Sequence, residues 1–443
     1  MEGQCFARRV GPTCAELVVV DDVAGDPSGL TGPRQAGEAA LAGIDVQPPS
    51  VLEDRRFDFV VHSPGVSRYD ERLVAAARLG AVVTTPTALF MEDFRDRRVV
   101  AVTGSKGKTT TAMLTAAALD AYGLDVALAG NIGRPLTELY DDDGHDVFVV
   151  EISSFQAAEV TVSPSVGVLT LLAPDHLDWH RSLTNYYEDK LRLFSYRADV
   201  PVAVNGCCDE AVARSSRLTG RVLYGNSGPV RLEGAEVVVS DLGALDLGEF
   251  RLLGEHNLLN ACGAVTAALL TTGELPDQNR LERELCTVSA PRSRLQPIGD
   301  AAGVSYIDDA LASNPEGTVA ALKAFTGRRV ALIVGGHDRG LDYTALARSI
   351  ESSLPQPVVY LMGDAGAAIG TALDEISSSV QRQPVPSLEV AVELASSRPD
   401  VAVVLFSPAS PTPRDEGSYL DRSRRFRQVA GIAESDSSHA ETS

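Results

Sequence analysis

Val99-Val100-Ala101-Val102-Thr103-Gly104-Ser105-Lys106-Gly107-Lys108-Thr109-Thr110 is the stretch whose reading decides the fold. The apolar run Val99–Val102 reads as a buried strand that turns sharply through glycines and opens a helix expected to begin near Thr110. Backbone N–H groups at such a turn converge on one spot, where the macrodipole of the following helix favours negative charge. Gly104, Ser105, Lys106, Gly107, Lys108, Thr109 and Thr110 are therefore expected to bind nucleotide phosphates. Lys108 would reach the terminal phosphates, and the Thr109 hydroxyl would be available to magnesium. The competing reading is an ordinary glycine turn with a solvated lysine. A census weighs against it: the chain holds only four lysines, Lys106, Lys108, Lys190 and Lys323. Arginine is the general cation elsewhere, so two lysines in one turn point to chemistry.

Length and composition bound the rest. A chain of 443 residues suggests two or three domains, and 44% hydrophobic residues suffice for packed cores. No run approaches the roughly 18 apolar residues of a membrane span, and no basic segment followed by an apolar one marks a signal peptide. A net charge of −21 argues against nucleic-acid binding, which needs a basic footprint. The six cysteines show no paired Cys-x-x-Cys spacing, so reduced thiols in a cytoplasmic protein, expected to be a monomer, are the plain reading.

Strand-like runs alternate with helix-like stretches along the chain: Leu17–Val20, Phe59–Val61, Val99–Thr103, Val147–Glu151, Val166–Leu172, Val200–Asn205, Val330–Val334, Val358–Leu361 and Ala402–Phe406. Such alternation predicts an α/β protein with parallel sheets covered by helices. Charged Glu92–Arg98 and the segment Ser289–Arg294 suggest boundaries near residues 96 and 291. The expected organisation has three domains: an abridged Rossmann-like domain at 1–96, a central ATPase-type sheet domain at 97–291 and a C-terminal Rossmann-like domain at 292–433. A polar, acidic tail at 434–443 is expected to be disordered. A doubly wound domain normally starts with a strand and a glycine-rich turn, yet the first convincing strand here ends at Asp21-Asp22. The first strand and most of its loop are therefore expected to be missing, with Gly3 as a remnant, through a mis-set start codon or natural abridgement.

After the phosphate loop, the strand Val147–Glu151 delivers Glu151 at its carboxyl end, where an acid can face the loop and hold magnesium. The next strand leads into Ala173-Pro174-Asp175-His176-Leu177-Asp178-Trp179-His180. His176 lies just past a strand terminus on the same rim, which makes it a candidate metal ligand beside the commoner structural role. Lys190 follows in a helix-like stretch, Asn185–Phe194, with Tyr186 one turn earlier; the lysine census speaks against a surface role.

These motifs, with Gly130-Asn131-Ile132-Gly133, Glu151-Ile152-Ser153-Ser154-Phe155-Gln156 and Gly254-Glu255-His256-Asn257-Leu258-Leu259-Asn260-Ala261, resemble the Mur ligase family. That family's loop reads Thr-Gly-x-x-Gly-Lys-Ser/Thr, with two residues between the glycines instead of the usual four. Ser153-Ser154-Phe155-Gln156 and Ser63-Pro64-Gly65 resemble its glutamate-adding branch. The match runs from about Leu17 to the Arg422 region.

The resemblance implies ATP and Mg2+ as cofactors, with UDP-N-acetylmuramoyl-L-alanine and glutamate as partners. The carboxylate would be activated as an acyl phosphate in cytoplasmic peptidoglycan precursor synthesis. It also implies roles. Lys108, Lys190, His176 and Glu151 would be catalytic, and Thr109, Glu151, His176 and Lys190, the last as a carbamate, would hold metal. Asn257, Asn260, Arg294 and Asp309 would serve ATP. Asp21, Ser63, Gly65, Asn131, Ser153 and Gln156 would serve the uridylylated substrate, and Ser313, Arg339, Thr412 and Tyr419 the glutamate.

In the third domain the chain departs from the family pattern. Asp309-Ala310-Leu311-Ala312-Ser313-Asn314 has Leu311 where a lysine is usual, Arg339 replaces a lysine, and Thr412 replaces a serine. D-glutamate is the default expectation. The alternatives are an L-glutamate-adding ligase paired with an epimerase, a folylpolyglutamate synthetase-like ligase, and a non-catalytic nucleotide-binding paralogue.

Overall fold

In a computed structural model of the protein, the described residues are 15–20, 45–132, 134–142, 144–301 and 303–432. Asp21, Gly3, Gly133 and the tail at 434–443 lie outside them. The chain forms two compact units, Met1–Leu247 with Leu258–Leu285, and Gly248–Asn257 with Cys286–Ser443.

The first unit begins with two parallel strand pairs, β1 (Val18–Val20) with β2 (Asp45–Gln47) and β3 (Phe59–Val61) with β4 (Val82–Thr84). A small core of Leu52, Leu73, Ala76 and Ala81 packs against Val20, Val60 and Val83. Its main sheet comprises β5 (Val99–Thr103), β6 (Val126–Gly130), β7 (Val147–Glu151), β8 (Val166–Leu169), β9 (Val202–Asn205) and β10 (Arg221–Tyr224). The strands are parallel in the order β10-β9-β8-β5-β7-β6. Every residue of β5 and β7 is buried, which is why both read as continuous apolar runs and not as alternations. Fully burying each such valine is worth about 1.5–3 kcal/mol. The chain leaves β5 for β6 on one side, while β8 pairs on the other, so the loop after β5 sits at a topological switch point. An antiparallel meander, β11 (Val230–Glu233), β12 (Glu236–Val239) and β13 (Gly243–Ala244), follows and was not legible as such in the sequence.

The second unit carries a sheet of β14 (Gln296–Ala301), β15 (Val304–Asp308), β16 (Val330–Gly335), β17 (Val358–Met362), β18 (Arg382–Val385) and β19 (Val403–Phe406), in the order β14-β15-β19-β16-β17-β18. Only β14 runs antiparallel to its neighbour, a departure from the all-parallel expectation. Alternate residues feed two cores: Leu332, Val403 and Leu405 enter one, and Ile333, Val404 and Phe406 the other. The sheet is therefore covered on both faces.

Candidate active site

The helix after β5 starts at Lys108, two residues before the expected position near Thr110, and runs to Asp120. Its N-cap is Gly107 at φ 87°, which supplies no side-chain cap, so the first-turn N–H groups stay available to an anion. Gly104 sits at φ 150°, and a Cβ there would lie 1.9 Å from Thr170 Oγ1. A Cβ on Gly107 would lie 2.7 Å from Asn260 Oδ1. Both glycines are fixed by close approach as well as by backbone angle. Thr170 stabilises the loop by donating to the Lys106 carbonyl at 2.7 Å. The strand β8 ends at Leu169, short of the expected Leu172, and Leu171 forms an isolated bridge with Lys106.

Lys108 Nζ donates to the Gly104 and Ser105 carbonyls at 3.1 and 3.2 Å. Ser105 Oγ lies 2.7 Å from Tyr186 Oη and donates to the Ala173 carbonyl, while Lys106 is exposed. Thr109 Oγ1 donates to Glu151 Oε2 at 2.7 Å, and Asn131 Nδ2 donates to Glu151 Oε1 at 2.9 Å. Glu151 is 1% exposed, and both of these hydrogen bonds come from neutral donors. A buried carboxylate so placed, beside a hydroxyl, offers the hard oxygen donors that magnesium takes. Asn131, expected to serve the uridylylated substrate, thus joins the acid at the phosphate loop.

Lys190 lies on the helix Leu183–Arg192 and is 2% exposed. Its Nζ donates to the Gly104 carbonyl at 2.7 Å and sits 4.8 Å from the Tyr186 ring centroid. Burial, with Lys108 beside it, pulls its pKa well below the ordinary lysine value. His176 is a different case. It adopts φ 49° at the start of the short helix Leu177–His180, stays half exposed and packs its ring 4.8 Å from Phe155. Burial holds its pKa below the ordinary imidazole value. Among the described residues no cluster of three or more His, Cys, Asp or Glu side chains forms a metal site.

Sequence reasoning missed a buried chain beside these groups. His180 Nδ1 lies 2.7 Å from Asp189 Oδ2, and His180 Nε2 lies 3.0 Å from Ser154 Oγ. All three residues are buried, and the chain ties the Ser153–Gln156 turn to the helix bearing Lys190. With both ring nitrogens partnered, His180 is a satisfied core histidine; its place in Asp175–His180 was the available signal. Ser153 and Gln156 form a capping box, the Ser153 hydroxyl accepting from the Gln156 N–H and the Gln156 side chain accepting from the Ser153 N–H. Ser63 and Gly65 lie exposed in the turn after β3.

The Mur ligase middle domain profile matches residues 102–268, and the Mur ligase glutamate ligase domain profile matches 293–409. A UDP-N-acetylmuramoyl-L-alanine–L-glutamate ligase of Xanthomonas axonopodis pv. citri is 34% identical over 415 residues, spanning 90% of this chain and 87% of that one. The chain belongs to the Mur ligase family. A Micromonospora protein of the same name is 33% identical over 94% of this Mur ligase and 91% of its own length. The fold is also that of a MurF ligase from Thermotoga maritima in complex with ADP, with a TM-score of 0.59 at 20% identity, covering 85% of this chain and 94% of that one.

The second unit of this Mur ligase places its expected residues unevenly. Asp309 is buried, accepts from Ser407 Oγ at 2.6 Å and from the Leu295 N–H at 3.0 Å, and burial pushes its carboxyl up to about 7. Its neighbour Asp308 is raised too, chiefly by burial, and is held by Ser423, Ser293 and Arg427. Arg294, Ser313 and Arg339 are exposed, Thr412 is partly buried and Tyr419 is 36% exposed. Asn257 belongs to this unit and donates to the Leu253 carbonyl at 2.7 Å, whereas Asn260 belongs to the first.

Proposed function

We propose that this Mur ligase couples ATP cleavage to the addition of L-glutamate to UDP-N-acetylmuramoyl-L-alanine. The observation that carries the reading is the convergence of Lys108, Lys190, Thr109 and Glu151 around the loop after β5. A carboxylate is a poor electrophile, and phosphorylation supplies it with a leaving group before an amine attacks to give the amide, ADP and phosphate. Lys108, freed from the Gly104 and Ser105 carbonyls, would turn to the charge developing on the transferred phosphoryl group. The uncapped helix start at Gly107 would orient the remaining phosphate oxygens. Thr109, Glu151 and Lys190 would hold magnesium, which supplies charge neutralisation when bound.

Lys190 is suited to carbamylation because reaction with carbon dioxide requires the neutral amine, which its buried position favours. The carbamate would be anionic and could serve as a metal ligand where the amine could not. For handedness, the D-glutamate default gives way to the L-isomer, since relatives 34% and 33% identical over most of this chain are named for L-glutamate. The same names speak for a muramoyl nucleotide over folate. Phosphate release measured with D- and L-glutamate, each with ATP and UDP-N-acetylmuramoyl-L-alanine, tests the reading. Turnover with the L-isomer alone is expected; exclusive use of D-glutamate overturns the handedness, and turnover with neither overturns the activity.

A further inference from the structure

Two of the side chains expected at the metal come from separate elements. Glu151 ends β7, and Lys190 lies on the helix Leu183–Arg192. Two ligands act on one ion only if the elements that carry them keep a fixed separation. The Ser154–His180–Asp189 chain spans that separation. Ser154 opens the short helix Ser154–Ala157, three residues after Glu151, and Asp189 immediately precedes Lys190. Between them stands His180, with Nδ1 2.7 Å from the Asp189 carboxylate and Nε2 3.0 Å from the Ser154 hydroxyl. With a carboxylate as its partner Nδ1 carries the hydrogen, so in the neutral ring Nε2 accepts from Ser154.

The surroundings leave this ring little freedom. His180 is 0% exposed, Asp189 2% and Ser154 3%. The His180 ring stacks on Phe155 at 5.6 Å and meets the Tyr186 ring edge-on at 5.1 Å. Tyr186 in turn faces Lys190 Nζ at 4.8 Å, and its hydroxyl lies 2.7 Å from Ser105 Oγ in the phosphate loop. His180 therefore reaches the lysine by two routes, through Asp189 along the helix and through Tyr186. Arg68 Nη1 lies 4.0 Å from the other Asp189 oxygen and also donates to the Ala158 carbonyl, which ties the same two helices together. Apolar side chains of the same volume can pack as stably, whereas a directional hydrogen-bond chain also fixes orientation.

We propose that His180, Asp189 and Ser154 are positioning residues for Lys190, holding its Nζ in register with Glu151 at the loop after β5. Their effect on turnover passes through the lysine. The inference rests on the ligase reading above and on the metal-ligand role given there to Lys190.

A double-mutant cycle tests it. Asp189→Ala should lower kcat about 30-fold and Ser154→Ala about 5-fold, with KM for ATP within about twofold of the parent. Asp189→Asn, which keeps an acceptor for His180, should stay within about threefold. In a Lys190→Ala background supplied with formate, neither Asp189→Ala nor Ser154→Ala should lower turnover further. Calorimetric titration with magnesium, in the presence of ADP and bicarbonate, gives a readout apart from turnover. There Asp189→Ala should weaken binding about 10-fold in the parent and change nothing in Lys190→Ala. Thermal melts establish that each variant is folded, and Ser154→Ala carries the cycle if Asp189→Ala is not. Equal losses in both backgrounds, or an Asp189→Asn variant as impaired as Asp189→Ala, overturn the positioning role and leave the ligase reading standing. Parent-like turnover and magnesium affinity in Lys190→Ala would sink the ligand role of Lys190, and this inference with it.

Discussion

Gly104 and Gly336 occupy equivalent places in two different sheets. Each directly follows a buried parallel strand, β5 or β16, and each has φ near 150°. Around Gly104 the groups expected to meet phosphate are backbone N–H groups of one continuous loop and helix, so one short motif specifies the whole device. Around Gly336 the neighbours are the Ser410 hydroxyl, the Pro411 carbonyl and the Arg422 guanidinium, which come from two segments well apart in sequence. The first site constrains its sequence tightly. The second, with Arg339 and Thr412 at positions where lysine and serine are expected, would still present a cationic and a hydroxyl group to an acid.

Substitutions on the two sides should therefore behave differently. Lys108→Ala is expected to lower ligation about 1,000-fold, with Tm close to that of the parent, because a loop charge is lost without opening a core cavity. ADP formation and a thermal melt check both halves; full activity with unchanged nucleotide affinity would remove the loop from the mechanism. Lys190→Ala should lose about 100-fold in activity and regain part of it with formate, a small anion able to replace the missing carbamate. Lys190→Arg should be as inactive as Lys190→Ala, and parent-like activity in it would refute the anionic ligand.

Backbone fixation is sharpened by Gly104→Ala, which meets both an unfavourable φ and the Thr170 hydroxyl. A loss of about 3 kcal/mol in denaturant stability is expected; a neutral result would mean that the loop re-forms around the methyl group.

The second unit should show a weaker, pH-dependent signature. Asp309 titrates near about 7 when folded and near about 3.9 when unfolded. Between those values the folded state holds the extra proton, so this residue lowers stability as pH rises, by at most about 1.4 kcal/mol per unit. Asp309→Asn should flatten the slope between about pH 5 and about pH 7, measured from urea midpoints, without erasing it, since Asp308 is raised as well. An unchanged slope would place the titration elsewhere.

Strands buried on both faces were legible almost to the residue. Val99–Thr103 and Val147–Glu151 coincide with β5 and β7, because a run apolar on both sides has few other places to go. Solvent-facing and antiparallel pieces, β11 to β13 and β14, were not, since their residues alternate weakly and include Gly299 and Pro297. At the site, loop residues and Lys190 could be singled out from rarity and position. The pairing of Thr109 and Asn131 on Glu151 could not, nor could the Ser154–His180–Asp189 chain, because each depends on residues brought together only by the sheet order. Orphaned groups such as Arg422 Nη1 leave no trace in a sequence at all.

The hydrogen bond from Lys190 to the Gly104 carbonyl has a consequence for how the modified lysine would be tolerated. Converting an amine to a carbamate replaces one N–H bond with N–C and leaves another N–H on the same nitrogen. The carbonyl that orders the unmodified side chain can therefore go on accepting from the modified one. The glycine turn would need no rearrangement when the modification arrives or leaves, so its shape would be independent of the carbon dioxide supply.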